Sequence, residues 1–176
     1  MWSAPEDDPR TYGNPVGELA TYQEYLVNYR LTIEMKCEGL DPDQLARRSV
    51  PPSTMSLLGL VRHLAQVENN WFQRVLQGLT EPPRLFNRDE DPDWQFTGAV
   101  PEQEVVDEAF ATWKAEIAVA ETWLAALDGS DLGREVPLHD ETVSVRDVLV
   151  HMIEEYARHA GHADLLRECI DGRTGQ

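Results

Sequence analysis

The sequence predicts an all-α protein, a four-helix bundle, on three observations. Four long segments repeat apolar residues at intervals of three and four, the spacing that lines one side of a helix. Pro-, Gly- and Asp-rich stretches separate the four segments. No segment carries the sustained alternation of a convincing strand. The whole chain, 1–176, reads as one domain, long enough for a sizeable core and short for two. Residues 1–15, acidic and Pro-rich, are expected to be a loosely ordered N-terminal segment.

The first helix runs from about Gly17 to Cys37, with Leu19, Tyr22, Leu26, Tyr29 and Ile33 on its stripe and Gly39 just past its end. The second follows "PPSTMS" and reaches about Gln77, closed by Gly78; Leu57, Leu60, Leu64, Val67, Trp71 and Val75 form its apolar face. Pro101 suits the first turn of the third, which continues to about Leu127. Val105, Ala109, Trp113, Ile117, Ala120 and Leu124 are its core candidates. The fourth opens at Ser144, where "SVRD" matches a capping box, and extends to about Ile170 before Gly172.

Residues 79–100 form a long connection between helices two and three, where a simple hairpin needs only a few residues. Such a link can cross the bundle and set those helices parallel. It can equally form a lid or an extra turn of helix, held down by Phe86, Trp94 and Phe96.

Composition excludes several functions. The net charge of −17 argues against nucleic acid, whose binding depends on Lys and Arg neutralising phosphates, and against an anionic membrane surface. No stretch approaches the ~18 apolar residues of a membrane span. The N-terminus has neither the basic nor the apolar region of a secretory signal, so the cytoplasm is the expected compartment. Cys37 and Cys169 offer no disulfide framework, and each reads as a small buried hydrophobe in a helix.

The fourth helix carries "HMIEEYARHAGHADLLRE". With Glu155 at zero, a helix turning about 100° per residue puts His159 near +40°, His151 near −40° and His162 near −20°. Val148, Met152 and Leu166 share that side, so the four polar residues face the interior. Buried imidazoles and carboxylates must be paired, hydrogen-bonded or bound to metal. A metal-free Glu–His ladder is one solution and a metal site is another. His151 and His162 lie about 16 Å apart along the axis and cannot share an ion. The workable pairs are His151/Glu155, Glu155/His159 and His159/His162, and another helix must supply a third ligand. His63 is the other histidine placed on a helix, since His139 falls in the acidic turn "PLHDET". "HMIEE" is not the H-E-x-x-H of zinc proteases. Nitrogen and oxygen donors suit Zn, with Ni, Fe or Mn also compatible. Spacing also suggests a surface cluster of Arg158, Asp164 and Arg167.

Together, "SLLGLVRHLAQVENNWF" and "HMIEEYARHAGHADLLRE" resemble the DinB/YfiT-like superfamily of metal-binding four-helix bundles. They are most similar to an actinobacterial branch related to mycothiol-dependent maleylpyruvate isomerase, and the likeness extends to Glu168. The resemblance implies a metal held by His63, Glu155 and His159, with Glu155 standing where many members have histidine. His151 and His162 then flank the ion, where they orient ligands or move protons; a hydrogen-bonded core role is the alternative. Glu68 is placed to hydrogen-bond a ligand histidine.

The resemblance further implies a homodimer and a divalent-metal-dependent enzyme. Such an enzyme uses a low-molecular-weight thiol, mycothiol or a similar one, for S-transfer or isomerisation on a small-molecule substrate, or activates water for hydrolysis. The rival expectation is a non-catalytic, metal-stabilised bundle with a stress-related binding or interaction role.

Overall fold

The structure is a computed structural model that describes residues 8–81 and 84–175. It is mostly helical. Helix α1 spans Glu18–Cys37, α3 Leu57–Glu68, α5 Gln103–Ala125 and α6 Val145–Asp171. Two single-turn helices, α2 (Pro42–Leu45) and α4 (Trp94–Thr97), lie in connections. Among the described residues no helix is long and apolar enough to cross a membrane.

The helix ends follow their local chemistry. Ser56 and Ser144 cap α3 and α6 by accepting the backbone N–H three residues on. Gly172 closes α6 at φ 78°, a left-handed conformation that glycine adopts without a Cβ clash. Pro101 lies outside α5, whose cap is Glu102.

Ion pairs and ring contacts set the directions. Glu18 meets Arg146 at one end of α1 and α6, and Lys36 meets Asp164 (2.7 Å) at the other, so these helices run parallel. Arg62 of α3 donates to the carbonyls of Trp94 and Gln95 just before α5. Phe72 meets Trp123 late in α5. Hence α3 and α5 also run parallel, and the 79–100 connection returns along the molecule to permit it. The connection supplies the extra helical turn α4 as well. A Cβ at Gly59 would sit 2.9 Å from Phe96, and one at Gly98 2.7 Å from Trp94. Glycine at both positions lets α4 lie flush on α3.

Two local departures follow. Residues Asn69–Val75 continue α3 as a π-helix, with Leu76 N–H donating to the Trp71 carbonyl five residues back. The wider turn advances the buried stripe by one residue. Phe72 and Leu76 go into the core in place of Trp71 and Val75, which are half-buried. The expectation of no strand is overturned. Glu135–Leu138 and Glu141–Ser144 form an antiparallel hairpin, β1–β2, around His139 and Asp140. Each strand has four residues, too few for alternation to register, and Val136 tucks the hairpin onto the core.

Residues 1–7 of the N-terminal segment lie outside the described residues. Residues 8–15 lie along α1, where the Asn28 side chain exchanges hydrogen bonds with both main-chain groups of Thr11 and Arg10 donates to Thr32. Cys37 is buried, but Cys169 is exposed, correcting the expectation for the second thiol. The Arg158–Asp164–Arg167 cluster does not form. Asp164 pairs with Lys36 and Arg158 with Glu154, while Arg167 is buried and caps the carbonyls of Lys36 and Glu38.

Candidate metal centre

Helices α3 and α6 cross in opposite directions, bringing Trp71 onto His151 and His63 onto His159, with ring centroids 4.6 and 4.7 Å apart. Glu155 lies between these two contacts, one turn from His159 on α6. Its Oε2 is 3.6 Å from His63 Nε2 and 3.5 Å from His159 Nε2. One donor atom from each of His63, Glu155 and His159 falls within 4.8 Å of the other two. Donors held at 2.0–2.2 Å from a four-coordinate ion stand roughly 3.3 Å apart, so the two measured separations match that spacing.

Burial lowers the pKa of His63 against the opposing pull of Glu155. Burial, reinforced by the proximity of His63, brings His159 down to about 4. Both rings are therefore neutral near pH 7, the form in which an imidazole offers a lone pair. Glu155 supplies the negative charge. Its second oxygen, Oε1, faces His151 Nε2 at 3.8 Å and Arg158 at 4.0 Å. His63 Nδ1 is buried with no hydrogen-bond partner among the described residues, which leaves it to water or a bound group.

The flanking histidines divide the two sides. His162 brings its Nδ1 to 3.3 Å from Nδ1 of His159, turning the far nitrogen of that ring toward Glu155. His151 is more open, with about a third of its side chain exposed, and is backed by Trp71. Phe96 of α4 stacks on His63 at 5.5 Å and walls the third side. The 79–100 connection thus builds part of the site. The sequence marked Phe96 only as an aromatic that holds the connection down, because nothing local pairs it with a histidine 33 residues earlier.

Among the described residues Glu68 hydrogen-bonds no histidine, contrary to expectation. Its carboxylate accepts from Arg30 Nε and NH2 (2.8 and 2.9 Å) and from the Tyr156 hydroxyl (2.6 Å). Trp113 Nε1 donates to that hydroxyl in turn, so the network joins α1, α3, α5 and α6. Burial is the largest single influence on Arg30 and opposes its charge, but Glu68 and Tyr156 together outweigh it and raise the guanidinium above its ordinary range. Burial also pushes the Tyr156 hydroxyl well up, keeping it a donor. An α-helix places Glu68 some 140° around from His63, on the side that faces α1.

The fold and this arrangement define a class: helical proteins that gather two histidines and a glutamate from two facing helices. The profile of the mycothiol-S-transferase family matches residues 21–172, a span that includes all three residues, and the chain belongs to that family. This agrees with the DinB/YfiT-like resemblance of its two motifs. No protein of curated function matches. Among solved structures, a conserved protein from Enterococcus faecalis superposes with a TM-score of 0.65 at 15% identity, over 86% of this chain and 96% of its own. At that identity the likeness concerns the fold.

Proposed function

We propose that this protein is a metal-dependent S-transferase that joins a low-molecular-weight thiol of the mycothiol type to a small electrophile, with His63, Glu155 and His159 as the metal ligands. The observation that carries the reading is the approach of those three side chains within 4.8 Å, in a chain of the mycothiol-S-transferase family. The donor set, two neutral imidazoles and one carboxylate, fits Zn best and admits Ni, Fe or Mn. When bound, a divalent ion lowers the pKa of a coordinated thiol and so supplies a thiolate near neutral pH.

The chain's own groups do the rest. His162 fixes the His159 ring through the Nδ1 contact. His151, the exposed imidazole beside Glu155, takes the thiol proton and passes it to solvent. Trp71 and Phe96 wall the two sides and keep the nucleophile from bulk water. The resemblance of the two motifs also suggests an isomerase variant of the same chemistry, in which the thiol adds and leaves again.

The non-catalytic alternative is disfavoured by the Arg30–Glu68–Tyr156–Trp113 network, which ties the four long helices without any metal. We read those helices as the single four-helix bundle the sequence predicts, and the functional unit as a homodimer, checked by sedimentation. The deciding experiment pairs elemental analysis with an S-transfer assay, using mycothiol and 1-chloro-2,4-dinitrobenzene, on wild type and His63→Ala. Loss of both metal and transfer in the variant is expected. Unchanged metal content removes the ligand assignment, and transfer by the metal-depleted protein removes the mechanism.

A further inference from the structure

The molecule is strongly acidic, yet its arginines are not evenly spread. Arg62, Arg74, Arg84 and Arg88 all lie on α3, its π continuation or the connection that folds back over it. Two of them are committed to holding the connection. Arg62 donates to the carbonyls of Trp94 and Gln95 and covers the Phe86 ring at 4.3 Å. Arg88 lies on the Trp94 ring at 3.4 Å. Arg74 and Arg84 line an adjoining cavity of 220 Å³ with Gln66, Val67, Asn69, Asn70 and Trp71, and Arg84 also borders the neighbouring cavity of Arg62, Arg88 and Glu108.

That lining has the chemistry of an anion site: two guanidiniums, three side-chain amides, one flat aromatic wall and no carboxylate. The nearby carboxylate on α5, Glu116, accepts from the amides of Asn69 and Gln73. Arg84 is exposed and makes no ion pair or hydrogen bond among the described residues. The cavity also adjoins the histidine cluster. Gln66 is one turn along α3 from His63, and Trp71 both lines the cavity and packs at a tilt against His151. The π turn makes this possible, because it takes Trp71 out of the core stripe.

We propose that the cavity between Arg74, Arg84 and Trp71 is an anion subsite that receives the carboxylate of an aromatic or other flat substrate whose reactive carbon lies toward His151. The purpose given to this occupant rests on the S-transferase reading, whereas the existence of the subsite does not. The geometry selects a small organic carboxylate over a neutral isostere: Trp71 binds the ring, and the guanidiniums hold the charge.

The test is a chemical-shift titration of 15N-labelled protein with benzoate and with neutral benzamide, on wild type, Arg84→Gln and Arg74→Gln, before and after chelation of metal. Arg84 is exposed, so its variant keeps the fold if the half-buried Arg74 variant does not. Benzoate is expected to bind wild type on the order of tenfold more tightly than benzamide, and to lose that preference in Arg84→Gln. The preference should fall with added salt and persist after chelation. Persistence would stand even if the metal reading failed. Equal binding of the two ligands, no benzoate binding, or an Arg84→Gln variant like wild type overturns the subsite. Benzoate binding that vanishes on chelation and ignores Arg84 also overturns it, by placing the carboxylate at the metal.

Discussion

The hydroxyl of Tyr156 donates to Glu68 across 2.6 Å inside the protein, one residue along α6 from Glu155 and five along α3 from His63. The two helices that carry the candidate ligands are therefore fastened to each other immediately beside them. Glu68 also neutralises the buried guanidinium of Arg30.

Breaking this fastening should be costly in proportion to the charge it strands. Glu68→Gln leaves Arg30 with only the half-exposed carboxylate of Glu121, 3.7 Å from its guanidinium, and should lower unfolding free energy by about 3 kcal/mol. Tyr156→Phe deprives Glu68 and the Trp113 N–H of one partner and should cost about 1–3 kcal/mol. Urea denaturation followed by circular dichroism measures both. A Glu68→Gln variant as stable as wild type would show that the network does not carry charge compensation.

Removing metal should separate function from fold. The apolar core and the Arg30–Glu68 network unite the helices without an ion, so the chelated protein should keep its helical spectrum and a cooperative thermal transition. Its S-transfer should disappear. Conversion to an unfolded chain on chelation would favour the structural role for the metal instead.

His162 acts through its neighbour. His162→Ala releases the Nδ1 side of His159 and should weaken metal binding by roughly tenfold or more, with little change in stability. Competition against a chromogenic chelator reads the affinity, and an unchanged value would leave His162 as a core residue.

The two thiols should differ in reactivity. Cys169 is exposed, whereas burial pushes the Cys37 thiol up to about 12 and leaves it little thiolate to react. Brief treatment with iodoacetamide near neutral pH should add one adduct at Cys169, and a second only in denaturant. Peptide mass spectrometry after digestion checks the position.

The close approach of α4 to α3 makes Gly98 sensitive. A methyl at Gly98 would meet Trp94 at 2.7 Å and Arg62 at 2.8 Å, so Gly98→Ala should cost about 1–3 kcal/mol. Because Phe96 lies in the same turn and stacks on His63, the variant should also bind metal less tightly. Wild-type stability and affinity would mean that the connection shifts freely.

Much of the protein was legible in its residues alone. Four apolar periodicities located the four long helices, and Ser144 and Gly172 marked both ends of α6, because helix stripes and caps are local in sequence. The 3.6-residue period also turned Glu155, His159 and His162 inward together, and the two motifs pointed to His63 as their partner. What only the tertiary structure decided depends on groups distant along the chain. The π turn moved Phe72 inward and freed Trp71 for His151. The Arg30 charge claimed Glu68, which the sequence had offered to a histidine. Phe96 reached His63 only because the 79–100 connection folds back along α3. The β-hairpin, four residues a strand, holds its place through Val136 on the core. Periodicity records which side of a helix is buried, whereas the pairing of buried charges and rings depends on which helices meet, and in which direction.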